Sequence, residues 1–198
     1  MSPSTLDVII AAALDQAIEG WHNHGNVPST LWAAGPRQTL CAVPINKEGA
    51  SLSSETRIGL QALMALVCRA QYIGRIDQTL CHVYNGDNWL SRSEMEDAID
   101  VNPAIHTAIA SEGLELSSMT NVLTLARLEL DADGHATWTR STHRSDMTVD
   151  DVRVCGAMVN NPKRIEHEIR LIKIRELQDL LKGLDWALIQ TKTSTPTR

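Results

Sequence analysis

Residues 122–144 read VLTLARLEL-DADG-HATWTRSTHR and contain the clearest local structural signal in this chain. Two runs rich in apolar and β-branched residues flank the segment Asp131-Ala132-Asp133-Gly134. Asp-Gly tolerates the positive φ angles of a tight turn, which explains its position between two extended runs. The stretch therefore predicts a β-hairpin with strands over 122–130 and 135–144.

Three further strands are predicted upstream of this hairpin. Residues 30–34 and 39–45 form two short extended runs separated by a Gly35-Pro36 break. Residues 78–84 form an apolar, β-branched run that ends at Asn85-Gly86, a typical turn pair. The chain thus predicts a sheet of about five strands.

Three longer helices are predicted around these strands. Residues 6–21 carry apolar side chains at three- and four-residue spacing, and Gly20 with the polar loop after it ends that helix. A second helix begins at Ser53 and runs to about Ile73. Its apolar residues occupy most of its circumference, so we expect it to be the central core helix. Asn161-Pro162 begins a last helix that runs to about Ile189, after a short helix capped at Thr148.

The segment 86–119 is strongly acidic. It holds seven acidic residues and one basic residue, which accounts for the whole net charge of −6. Ser93-Glu94-Met95-Glu96 fits a capping box, Asn102-Pro103 repeats the start signal, and Gly113 supplies a stop. We therefore expect an acidic insertion of two short helices.

These elements predict a single α+β domain over residues 1–190. Hairpins beside a buried helix are typical of a mostly antiparallel sheet packed against helices. We also expect a long C-terminal helix over 162–190 and a frayed tail over 191–198, where no side chain is apolar. From the first helix to the second hairpin, the order of elements resembles that of a group of small, uncharacterised bacterial and phage proteins. That resemblance is one of pattern without a diagnostic motif and implies no activity, and the acidic insertion and the long last helix depart from it.

Composition and charge exclude several classes of protein. No apolar stretch approaches the length of a membrane span, and the first residues lack the basic-then-apolar order of a signal peptide. A general nucleic-acid binder needs a basic face, which an acidic chain argues against. We therefore expect a cytoplasmic protein that binds neither membranes nor nucleic acid.

Two patterns of possible metal ligands are present, and neither is complete. His22 and His24 alternate in a polar loop and suit zinc, copper or nickel, but no third ligand accompanies them. Asp131, Asp133 and Gly134 imitate part of a calcium loop, yet Thr142 holds the closing position that requires Glu. The sequence thus predicts no metal and no cofactor.

The cysteines do not indicate a nucleophile. Cys41, Cys68, Cys81 and Cys155 lie among apolar neighbours without a CxxC pair, as reduced core cysteines do. Cys81 is followed by His82, but adjacent strand residues face opposite sides of a sheet, so a base would have to come from elsewhere, such as His143.

Two classes of function remain. The favoured one is a non-enzymatic interaction or accessory protein that acts through self-association, as a homo-oligomer, or by docking a protein partner. Its expected contact residues lie in the acidic insertion and are Glu94, Glu96, Asp97, Asp100 and Trp89. The last helix, with an apolar face flanked by charges of both signs, is the second possible contact surface. The alternative is a small hydrolase-like enzyme that uses scattered Cys, His and Asp residues.

Overall fold

The computed structural model describes residues 4–45, 52–83, 90–131, 133, 135–146 and 167–192. Within these ranges the chain has an α+β fold of one seven-stranded antiparallel sheet and four helices. The strands are β1 (Thr30–Ala34), β2 (Gln38–Pro44), β3 (Tyr72–His82), β4 (Ile105–Glu115), β5 (Thr120–Leu130), β6 (Ala136–Asp146) and β7 (Trp186–Lys192). The helices are α1 (Thr5–His24), α2 (Ser54–Cys68), α3 (Arg92–Ala98) and α4 (His167–Gly183).

The strands lie in the order β6-β5-β4-β3-β1-β2-β7, so β6 and β7 are the two edges. Both predicted hairpins are confirmed: β1 pairs with β2, and β5 pairs with β6 from Leu130↔Ala136 to Thr120↔Asp146. Each is a local pairing, which turn chemistry alone can specify.

Helices cover opposite faces of the sheet at its two ends. Trp32 and Ala34 of β1 pack with α1, which lies over β3, β4 and β5. Leu31 and Ala33, which alternate with them, pack with α2 and α4 on the other face, over β1, β2 and β7. Because successive side chains of a strand point to opposite faces, the short strand β1 contributes residues to the hydrophobic core on each face of the sheet.

Helix α1 continues through Gly20, which we predicted to end it, as far as His24, because a single glycine does not by itself stop a helix whose next turn is still hydrogen-bonded. Ser4 and Asp7 form a reciprocal capping box, and Gly25 closes the helix with a φ of 72°. Its apolar stripe is buried against the sheet, with Leu14 fully covered. This anchoring places the polar flank of α1, including Asp7 and Asp15, beside the sheet edge at β6.

Helix α2 is shorter and less central than predicted. It ends at Cys68, where Arg69 adopts a φ of 53°, and Ile73 already belongs to β3. Leu60 and Met64 are buried against the sheet and α4, whereas Ile58 is 37% exposed. The apolar positions on its other side are partly exposed.

The sheet has seven strands where we predicted about five, because the second short helix of the acidic segment is in fact β4 and the end of the predicted last helix is β7. Buried residues of β4 occur on both faces of the sheet, as the neighbours Ala108 and Ile109 show, so the segment lacks the alternation that marks a half-buried strand. Gly113, predicted as a helix stop, lies in β4 opposite Gly74 of β3. A side chain at either position would collide with Trp32 or its neighbours, which explains both glycines.

The prediction of a long C-terminal helix is also wrong, since α4 ends at Gly183 and is followed by β7. Leu184 and Leu188 continue the helical spacing, but Asp185 adopts a φ of 55° and turns the chain. Trp186 is then buried in a strand that pairs with β2 as far as Lys192, where we predicted a frayed tail. The predicted start of this helix, the short helix at Thr148 and residues 193–198 lie outside the described residues.

Among the described residues, no helix is both long enough and apolar enough to cross a membrane.

Candidate functional site

A groove of about 590 Å³ lies between α1 and the outer strands β5 and β6. Its volume is in the range of small-ligand sites. Arg140, Thr142 and Arg144 line it because alternate residues of β6 face α1. From the other sides the groove is lined by Asp7, Ala11 and Leu14 of α1 and by Thr124 of β5.

Two ion pairs cross from β6 to α1 beside this groove. Arg140 Nη2 lies 2.6 Å from Asp15 Oδ1, and Arg144 Nη2 donates to Asp7 Oδ1. Each contact is made by one terminal nitrogen of a guanidinium that has five N–H donors, which leaves capacity for a further acceptor. The arginine side chains are 42% and 51% exposed, so a ligand can reach both.

Asp7 is the best fixed of the charged residues in the groove. Its Oδ2 accepts hydrogen bonds from the backbone N and the Oγ of Ser4, each at 2.8 Å. The hydrogen bond from Arg144, together with those from Ser4, holds the pKa of the Asp7 carboxyl below its ordinary range, although partial burial opposes the effect. Asp7 therefore stays ionised and holds the Arg144 guanidinium in position.

The floor of the groove carries two hydroxyls. Thr124 Oγ1 and Thr142 Oγ1 lie 3.0 Å apart on neighbouring strands, and Thr124 is only 8% exposed. Hydroxyls both donate and accept hydrogen bonds, so this pair can contact a polar ligand of either kind.

An aromatic cluster lies beside the groove, at the end of α1. Trp138 precedes Arg140 by two residues on the same face of β6 and contacts Trp21 edge to face, with ring centroids 5.3 Å apart. Trp138 Nε1 donates a hydrogen bond to His22 Nε2 at 3.3 Å. An indole nitrogen can only donate, so His22 Nε2 is the acceptor in this contact. His22 is thus hydrogen-bonded to Trp138. Within the described ranges, no group of three potential metal ligands includes His22 or His24.

The side chains that line the groove offer charged groups and hydroxyls to a ligand. No histidine, cysteine or lysine is among its seven lining residues, and its one carboxyl has a lowered pKa. General acid–base chemistry near neutral pH needs a group that titrates in that range. Guanidinium, carboxylate and hydroxyl groups together instead suit a ligand with charges of both signs.

The predicted acidic contact residues lie on and just after α3, which buries none of its side chains. The capping box is formed by Ser91 and Glu94, two residues earlier than predicted, and those hydrogen bonds lower the pKa of Glu94. Glu96 pairs with Arg92 at 2.8 Å. Two of the acids are thus engaged within α3, Asp97 and Asp100 lie near its C-terminal end, and Trp89 lies outside the described residues.

The turn at Asp131 explains the residues that imitate a calcium loop. Asp131 Oδ1 accepts from the backbone nitrogens of Asp133 and His135 at 2.9 and 2.8 Å. His135 Nδ1 lies 3.1 Å from Asp131 Oδ2, so these three exposed side chains form one small cluster. Gly134 lies outside the described residues, and Thr142 lines the groove. The turn alone accounts for Asp131, and the absence of a bound metal stays a prediction.

The strand register places Cys81 opposite His106 of β4, a residue that we did not single out from the sequence. His82 faces the other side of the sheet, and His143 is two strands beyond β4. Burial raises the pKa of the Cys81 thiol, and the positive charge of Arg127 offsets this only in part. His106 could not be identified as a neighbour while β4 was interpreted as a helix. Cys41 and Cys68 are free thiols, Cys68 buried, and Cys155 lies outside the described residues.

Comparison with known proteins finds no family model, no curated protein and no solved structure that matches this chain.

Proposed function

We propose that this protein is a non-enzymatic binding protein whose recognition site is the α1–β6 groove. The single observation that carries the proposal is the composition of the groove, which gathers two arginines, an aspartate and two threonine hydroxyls without a nucleophile or a titrating base.

The ligand that fits this groove best is an extended polypeptide segment with side chains of both charges. Its carboxylates would pair with Arg140 and Arg144, and its basic groups with Asp7 and Asp15. A polyanion such as nucleic acid fits less well, because both aspartates lie against the arginines that would have to neutralise it. Opposite charges placed across such a contact add specificity and speed the encounter.

A library of random peptides displayed on phage tests this proposal. We expect selection on the immobilised protein to enrich peptides of mixed charge, whose binding is then measured by fluorescence anisotropy. Replacing Ala11 with Trp fills the groove from α1 and should weaken the binding of these peptides at least about tenfold, because a peptide side chain displaced from the groove loses all its contacts there. Ala12→Trp is the matched control, because Ala12 is exposed on the same helix and does not line the groove. Equal binding to both variants, or no enrichment at all, would contradict the proposal.

The same experiment also tests the acidic surface predicted from the sequence as an alternative binding site. Replacing Glu94, Glu96, Asp97 and Asp100 with Lys reverses the charge of α3 and the residues after it. We expect the selected peptides to bind this variant as well as they bind the original protein. A loss restricted to this variant would move the binding site to α3.

A hydrolase-like enzyme is the second candidate, and the pairing of Cys81 with His106 is the observation that favours it. Side chains directly opposite in an antiparallel pair are near neighbours, so His106 is positioned to act on the thiol. The raised pKa of Cys81 opposes this reading, because the thiolate is the nucleophilic form. Slow alkylation of Cys81 by iodoacetamide at neutral pH, unchanged by His106→Ala, supports the binding function, and fast alkylation that needs His106 supports the enzyme.

A further inference from the structure

Strand β6 is a long and regular edge. Its eleven residues pair with β5 without a break, it contains no proline, and no other strand among the described residues pairs with its outer side. Natural proteins usually shorten, bulge or cover such an edge because its open backbone groups accept another strand. The regularity of β6 therefore leaves its outer backbone groups open to pairing with another strand.

The hydrogen-bonding phase of the hairpin shows which residues offer their backbone outward. The N of Asp131 donates to the carbonyl of His135 at 3.1 Å, which makes these two a hydrogen-bonded pair at the turn. Hydrogen-bonded and non-hydrogen-bonded pairs alternate along an antiparallel ladder, so odd-numbered residues of β6 bond to β5. The outward backbone groups are those of Trp138, Arg140, Thr142 and Arg144.

We propose that β6 of a second copy of this chain pairs antiparallel with β6, with the two-fold axis through Ser141. This register uses the whole strand, because Ala136 then lies opposite the partner's Asp146. It sets Arg140 opposite the partner's Thr142 and Arg144 opposite the partner's Trp138, a cation and an indole that attract each other.

The two neighbouring registers are unfavourable because each would place arginines directly opposite one another. An axis through Arg140 opposes that arginine to its own copy, and an axis through Thr142 opposes Arg140 to the partner's Arg144. Like charges directly opposite in a sheet are destabilising. Only the central one of these three registers places every arginine opposite an uncharged side chain.

The face of β6 that points away from α1 is self-complementary. Its five residues are all exposed: Thr137, Thr139, Ser141, His143 and Ser145. All of them except the histidine carry a hydroxyl that both donates and accepts hydrogen bonds. In the central register Thr139 lies opposite the partner's His143, and Ser141 opposite its own copy. Such a surface suits a second copy of itself better than a partner of one charge.

This pairing would also complete the α1–β6 groove. A two-fold axis perpendicular to the sheet keeps both copies of α1 on the same face. The two grooves would then flank the joined β6 strands and form one trough walled by the two α1 helices, with Arg140 and Arg144 of both copies beside its floor. The dimer goes beyond the proposed binding function and does not depend on it, because Ala11→Trp fills the groove without touching the edge of β6.

Site-directed cross-linking tests the register. Ser141→Cys would place two thiols at a non-hydrogen-bonded pair with Cα atoms about 4.5 Å apart, within the range of a disulfide. We expect this variant to form a covalent dimer on mild oxidation, with the 141–141 linkage identified by peptide mass mapping. Thr139→Cys is the control, because its two copies would lie about 13 Å apart along the strands. Equal cross-linking of both variants, or none at Ser141→Cys, would overturn the register.

A pair of substitutions at one position tests the edge pairing itself. The N–H of Arg140 points outward, so Arg140→Pro removes a hydrogen bond to the partner strand and leaves the β5 ladder intact. We expect sedimentation equilibrium to show a dimer for the original protein and for Arg140→Ala, and at least about tenfold weaker association for Arg140→Pro. A monomeric original protein at about 0.1 mM, far above the Kd of a stable dimer, would overturn the proposal. A dimer that survives Arg140→Pro would do so as well.

Discussion

Gly74 lies directly beneath the indole ring of Trp32, its cross-strand neighbour in the β1–β3 pairing. A Cβ at position 74 would lie 2.2 Å from Cζ2 of that ring and 2.2 Å from the carbonyl oxygen of Glu112. Trp32 is only 3% exposed, and its ring fills the space between the sheet and α1. The absence of a side chain at position 74 is therefore a packing requirement of the core.

Gly74→Ala should destabilise the protein by about 3 kcal/mol or more, because neither the ring nor the backbone carbonyl can move away cheaply. Gly59→Ala is the control, since nothing lies within 4 Å of a Cβ at this helical position. It should stabilise the protein by about 0.5–1 kcal/mol through higher helix propensity. Urea denaturation of both variants measures the difference, and similar effects of the two substitutions would contradict this account of Trp32.

Asp7→Asn should reduce stability by about 1 kcal/mol at neutral pH, through the capping box and the contact with Arg144. A carboxyl whose pKa is lowered by folding contributes stability above its unfolded pKa and loses that contribution as the pH falls through its folded pKa. The deficit of the variant should therefore shrink below about pH 4. Denaturant melts at a series of pH values measure it.

Asp15→Asn is the control for that experiment. Asp15 contacts Arg140 but is 61% exposed, so this substitution should cost less than about 0.5 kcal/mol. A deficit of Asp7→Asn that stays constant from neutral to acid pH would contradict the role assigned to its charge.

His22→Ala should loosen the aromatic cluster that ties the end of α1 to β6. It removes the acceptor of Trp138 Nε1 and a ring whose centroid lies 5.4 Å from that of Trp21. We expect a loss of about 1 kcal/mol and a weaker near-ultraviolet circular dichroism signal from the Trp21–Trp138 pair. His24→Ala should change neither quantity. The reverse ranking of these two histidines would disprove the assignment.

Leu181→Ala and Leu180→Ala should separate the two sides of α4. Leu181 is 1% exposed in the core beside Leu177 and Trp186, whereas Leu180 is 43% exposed. The first substitution should cost about 2–5 kcal/mol through lost burial and the cavity left behind. The second should cost less than about 1 kcal/mol. Thermal melts of both variants test whether this face of α4 is the one that packs.

The hairpin of β5 and β6 and the hairpin of β1 and β2 could both be predicted from the sequence. Each depends on residues close together in the chain: Asp131 with His135, and the Gly35-Pro36 break. The cap of α1 by Ser4 and Asp7 is equally local, although we began that helix at Leu6 and did not predict the cap. Turn and cap chemistry operates over three to five residues, so the local sequence contains all of it.

Strands β4 and β7 were decided only by the tertiary structure. The segment of β4 has buried residues on both faces, Ile109 in the core with α1 and Leu114 in the core with α2 and α4, which removes the alternation that identifies a strand. Leu184 and Leu188 continue the apolar spacing of α4, and only pairing with β2 makes the second of them a strand residue.

The candidate site also lies beyond what the sequence by itself determined. Arg144 and Asp7 are separated by 137 residues, and Arg140 and Asp15 by 125. Strand alternation puts Arg140, Thr142 and Arg144 on one face of β6, but which helix that face meets depends on the order of strands. That order follows from non-local pairing and burial, which join residues that no local pattern relates.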